Sequence, residues 1–84
     1  MPDPASQRPV KRSLTIAGHR TSVSLEAPFW EALKDVAAAH GVTVTGLVAR
    51  IDAERAAEGD ATSGLSSRLR IHILRHFRDG GGRP

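Results

Sequence analysis

Cysteine is absent from this 84-residue chain. No disulfide can staple the fold and no thiolate cluster can hold a metal, so the redox compartment is unconstrained. Long apolar runs are missing too: nothing approaches the ~20 residues that a bilayer span requires. The first residues lack the apolar stretch of a secretory signal, and the expected location is cytoplasmic. Catalytic signatures are equally scarce. There is no nucleophile elbow, ordered triad, P-loop or G-x-G-x-x-G, and the glycines at 80–82 sit in a tail rather than between a strand and a helix. His72 and His76 have helical i,i+4 spacing, but "HILRH" lacks the glutamate of a zinc-protease motif and shows no third ligand. So short a core could hardly enclose a substrate pocket. The expectation is a protein that is not an enzyme and needs neither metal nor cofactor.

What is present is one small domain between weakly apolar flanks. Residues 1–10 and 79–84 are rich in Pro, Gly and polar residues and read as a disordered arm and tail. Residues 11–78 remain to fold, with a third helix expected over 65–78. A core of that size is marginal alone, and without staples the usual remedy is a second copy of the chain. The net charge of +3 is unevenly spread: residues 1–25 carry +3, residues 26–57 carry −2 and residues 58–84 carry +2. Basic ends suit a polyanion, although scattered arginines also serve solubility.

Periodicity assigns the elements. "HRTSVSL" (19–25) alternates like a strand, with Thr21, Val23 and Leu25 on one face and Arg20, Ser22 and Ser24 on the other. "KRSLTIAG" (11–18) puts Leu14 and Ile16 on the opposite parity, and a phase change at Gly18 marks a bulge, a bend or a turn. Residues 26–41 read as a helix whose stripe runs through Phe29, Trp30, Leu33, Val36 and Ala37, with Pro28 in its first turn and Gly41 as its left-handed stop. Residues 42–59 read as a second helix, N-capped by Thr43, with Val44, Leu47, Val48 and Ile51 as its apolar face. In the third, Leu65, Leu69, Ile73 and Phe77 recur every four residues beside Leu74, and Arg68, Arg70, Arg75 and Arg78 decorate the rest.

A strand followed by short helices must find a partner for its backbone groups. Two answers are open: residues 13–17 fold back as a hairpin, or the strand pairs with its own copy around a two-fold axis. The second arrangement is that of the ribbon-helix-helix family, which this chain resembles. Val23 and Leu25 match the family's inward strand positions, and the Phe29 to Ala37 stripe matches its first helix. "HGVTVTGLV" (40–48) looks like its turn into a hydroxyl-capped second helix. "KRSLTIAGHRTSVSLEAPFWEALKDVAAAHG" with "LSSRLRIHILRHF" is similar to the short bacterial ribbon-helix-helix proteins. The third helix departs from the minimal two-helix pattern.

The resemblance implies a mainly α fold with one strand. Two chains intertwine as a homodimer, and their strands form an antiparallel ribbon. Val23, Leu25, Trp30, Leu33, Leu47, Val48 and Ile51 are then the dimer core. It implies double-stranded DNA as the partner and a bacterial transcriptional regulator as the role, nucleoid-associated when bound. Arg20, Ser22 and Ser24 would contact bases in the major groove, Arg20 foremost because its planar fork suits guanine. Thr43, Thr45 and Gly46 at the helix start, with Lys11 and Arg12, would contact phosphate, although Thr43 is explained by capping alone. The rival reading is a dimeric interaction module, antitoxin-like or an adaptor, docking a protein through Leu65–Phe77.

Overall fold

The computed structural model describes residues 8–59 and 64–80. The elements run β1 (Pro9–Ile16), β2 (His19–Glu26), α1 (Ala27–Ala39), α2 (Val44–Ala57) and α3 (Leu65–Arg78). Residues 1–7 of the expected arm, 60–63 of the expected linker and 81–84 of the expected tail lie outside the described residues.

The strand's partner is β1 of the same chain. The two strands form an antiparallel hairpin, with pairing from Pro9 opposite Glu26 to Ile16 opposite His19. This corrects the expectation of a single strand per chain: of the two open answers, the hairpin forms within the chain. The arm begins pairing two residues before the expected domain boundary. Pro9 is tolerated because it opens the strand. Ala17 and Gly18 make the connection, both with positive φ (51° and 82°), as a two-residue type I′ turn requires.

Register sorts the side chains. Directly opposed residues share a face, so Val10, Leu14 and Ile16 join Thr21, Val23 and Leu25 on the side that meets the helices. Ile16, Val23 and Leu25 are buried there against Trp30, Leu33, Val36 and Ala37 of α1 and Leu47, Val48 and Ile51 of α2. The residues expected to form the dimer core are buried within one chain, Val23 to 1% exposure and Leu25, Leu33, Leu47 and Val48 to 0%.

Local chemistry sets the helix ends. Gly41, at φ 68°, closes α1 in a Schellman arrangement: the Val42 N–H donates to the Ala37 carbonyl at 3.0 Å and the Gly41 N–H to that of Ala38 at 3.1 Å. Thr43 follows at once as the N-cap of α2. Helix α3 lies against both other helices and the end of β2 through buried Leu69 and Ile73. Two ion pairs pin it: Arg68 to Glu58 at the end of α2, and Arg70 to Glu26 at 2.8 Å. Phe77, expected on the packing stripe, is instead 42% exposed.

Candidate nucleic-acid interface

The outward face of the hairpin is polar on both strands. Register places Lys11 opposite Ser24, Ser13 opposite Ser22 and Thr15 opposite Arg20, so all six side chains share the face turned from the core. Arg20, Ser22 and Ser24 were identified from the sequence by alternation. Ser13 and Thr15 were missed, because they count only once β1 is known to pair with β2. Lys11 and Arg20 are exposed, and neither has an ion-pair partner among the described residues. Glu26, the carboxylate at the end of β2, is occupied by Arg70. That guanidinium donates through Nε and Nη2 and holds the Glu26 carboxyl below its ordinary range, so the carboxylate stays charged and paired.

Arg12 does not join Lys11. It lies on the helix side of the hairpin, its guanidinium 5.0 Å from the Trp30 ring centroid in a cation–π contact. The Trp30 Nε1–H in turn donates to the Val10 carbonyl at 2.9 Å. These two contacts hold β1 against α1.

The start of α2 is a separate constellation. Thr43 Oγ1 accepts the Gly46 N–H at 3.0 Å, and a Cβ at Gly46 would stand 3.1 Å from that oxygen. The glycine thus has an intrachain reason: it leaves room for the cap, and its own N–H is already taken. Val44 and Thr45 supply the other first-turn N–H groups, and the first turn carries no acidic side chain to compete for an anion. Of the phosphate contacts expected here, Thr45 and the Thr43 hydroxyl hydrogen keep their donors, while Gly46 has spent its own.

The histidines separated in sequence come together. His40, the C-cap of α1, lies 6.3 Å from His72 and 5.7 Å from His76 between ring centroids. Burial lowers the His72 pKa, Glu54 works against that, and His40, His76 and Arg50 add to it. Among the described residues no group of three or more His, Cys, Asp or Glu is placed to hold a metal ion. No helix there is long and apolar enough to cross a membrane.

Comparison with known proteins agrees with this architecture. The family model described as a ribbon-helix-helix domain matches residues 9–77. Among solved structures, the chain is similar to an uncharacterized protein from Bordetella pertussis Tohama I. The TM-score is 0.76 and the identity 35%, over 99% of this chain and 67% of that one. No curated protein matches.

Proposed function

The chain belongs to the ribbon-helix-helix domain family, and on that premise we propose that it is a sequence-specific DNA-binding protein, a bacterial transcriptional regulator rather than an enzyme. The observation that carries this reading is the outward face of the hairpin. Lys11 and Arg20 stand there among short hydroxyl side chains, without ion-pair partners among the described residues. They do so on a two-stranded ribbon of the width that enters a major groove. Arg20 is the base reader of the set, because its fork matches guanine O6 and N7. Ser22 and Ser24 fit close to base edges and discriminate weakly, since each hydroxyl both donates and accepts. Lys11 meets phosphate by charge, and the α2 start holds the backbone through Thr43, Thr45 and the first-turn N–H groups of Val44 and Thr45. Arg12 contributes its charge from the far side of the ribbon, where Trp30 holds it.

The protein acts as a homodimer in this reading. A two-stranded sheet leaves one edge of each strand unpaired, and pairing β2 with its copy across a two-fold axis would set two β2 strands side by side as a central ribbon, with Arg20, Ser22 and Ser24 of both copies on one face. Such a dimer matches a repeated or palindromic operator.

Selection from random duplex DNA at several salt concentrations tests the proposal. The expected result is an enriched symmetric or repeated site. Arg20→Ala then costs about 1–3 kcal/mol on that site and relaxes preference at one position, while Lys11→Ala weakens all sequences alike and lowers the salt slope by about 1. Binding with no enriched site, or an Arg20→Ala variant as selective as the parent, refutes sequence reading by this face.

A further inference from the structure

The two strands of the hairpin have different free edges, and the difference decides which strand stands in the middle of a dimer. β1 opens on Pro9, which has no backbone N–H, and carries Lys11 and Arg12 in its first half. Proline and cationic side chains are what keep an exposed sheet edge from pairing. β2 has neither across its middle. Thr21 to Leu25 include no proline and no charge, and the charged groups of the strand, Arg20 and Glu26, stand near its ends. The free edge of β2 is the one open to a second copy, and β1 is the outer strand.

Width then separates the roles of the strands. With the two β2 strands central and a β1 on either side, three strand spacings of about 4.8 Å put the outer axes about 14 Å apart. A major groove about 12 Å wide takes the central pair only. Each β1 is left over a groove wall, where the phosphates stand. Lys11, Ser13 and Thr15 face that wall, since they lie opposite Ser24, Ser22 and Arg20 and are exposed on the same side of the sheet. Ser13 and Thr15 are short, so the strand can come close, and each hydroxyl can donate to a phosphate oxygen. We propose that β1 is a phosphate-binding outer strand, in which Ser13 and Thr15 hold the DNA backbone beside the reading ribbon and Lys11 adds charge. Neither hydroxyl reads a base. The assignment rests on the DNA-binding dimer proposed above and gives β1 a task that the central ribbon does not have.

The test titrates the full chain by anisotropy onto a labelled duplex pool of random sequence and onto the pool that the parent enriches from it. The double variant Ser13→Ala with Thr15→Ala should weaken both pools by the same factor, about three- to tenfold, and should enrich the same sequences as the parent. Ser13→Glu sets a carboxylate against a phosphate and should weaken both pools about tenfold or more. Circular dichroism and Tm should stay at parent values, because both positions are exposed and outside the core. A hairpin that entered the groove by itself would instead make these residues base readers. Ser13→Glu would then shift the enriched sequences toward cytosine, whose N4 amine donates to a carboxylate. Such a shift overturns the proposal and leaves DNA reading intact, as does unchanged binding by both variants. A parent that binds neither pool overturns the DNA-binding reading itself, and the role of β1 falls with it.

Discussion

Replacing Trp30 with Phe is the sharpest probe of the intrachain hairpin, because one side chain ties β1 to α1 in three ways. Trp30 is buried to 2% exposure, its Nε1–H donates to the Val10 carbonyl, and its ring carries the Arg12 guanidinium. Phenylalanine keeps an aromatic ring in the core but cannot donate. The lost hydrogen bond costs about 0.5–1.5 kcal/mol. The space vacated by the larger ring costs about 1–2 kcal/mol if the site relaxes incompletely. A weakened cation–π contact adds roughly 0.5 kcal/mol at this exposed guanidinium. The sum, about 2–4 kcal/mol, corresponds to a fall in Tm of roughly 10–25 °C for a domain of this size. Urea unfolding followed by far-UV circular dichroism measures the total, since the variant has no tryptophan fluorescence. Hydrogen exchange supplies the specific readout: amides of residues 9–16 should lose more protection than those of α1 or α2. A loss below about 1 kcal/mol, or exchange that rises evenly across the chain, would refute the view that Trp30 is the tether of β1.

Two further perturbations test the turn and the pinning of α3. Ala17 holds φ 51° without the freedom of glycine. Ala17→Asn, which tolerates that region and suits the first position of a type I′ turn, should stabilise by about 0.5–1 kcal/mol in urea titrations; a destabilised variant would mean the turn is of another type. Arg70 lowers the Glu26 pKa, so this pair contributes stability that is complete above about pH 4.5, the ordinary carboxylate value, and is lost as pH falls through the folded value. His72, also lowered, loses its contribution on the same acid side but from about pH 6.5 downward. Comparing the parent with Glu26→Gln across pH 2–7 should therefore show a gap that closes only at the acid end. A gap constant with pH would show that charge on Glu26 plays no part.

Much of this fold was legible because its signals are local. Gly41 followed by Thr43 announces the end of one helix and the start of the next, and both work through hydrogen bonds within a few residues. The hairpin was only half legible. In an antiparallel pair joined by a two-residue turn, even positions on one strand face odd positions on the other. The parity switch at Gly18 is therefore the mark of such a hairpin, and not of a bulge. Two residues hid it: Ala17 stands where Asn or Gly would have announced the turn, and Arg12 puts a charge on the apolar side of β1, where only Trp30 explains it. The stripe through Leu65, Leu69, Ile73 and Phe77 misled for a geometric reason. Steps of four overrun a 3.6-residue turn by about 40° each, so the last member has rotated about 120° from the first. Phe77 leaves the core for solvent on that account. The approach of His40 to His72 and His76 spans helices far apart in sequence, and no local pattern encodes it.

Finding β1 in the same chain bears on what the proposed dimer would be for. When a ribbon is shared between two chains, ribbon, core and dimer stand or fall together, and no reading face exists without association. Here one chain supplies both strands of the hairpin and buries Val23, Leu25, Trp30, Leu33, Leu47, Val48 and Ile51 by itself. So small a domain needs more apolar cover than one strand and two helices give it. That cover comes from β1, whose Ile16 enters the core, and from α3, whose Leu69 and Ile73 close it. Under the proposed function, a dimer then serves operator recognition rather than the burial of this core. On that proposal folding and DNA reading are separable, with buried Trp30 and Leu69 serving the first and the exposed Arg20 and Lys11 proposed for the second. Substitutions at the outward face should cost little stability, since Lys11, Ser13, Thr15, Arg20 and Ser22 are all exposed and outside the core cluster, so under the proposed function they would change binding and leave the fold intact.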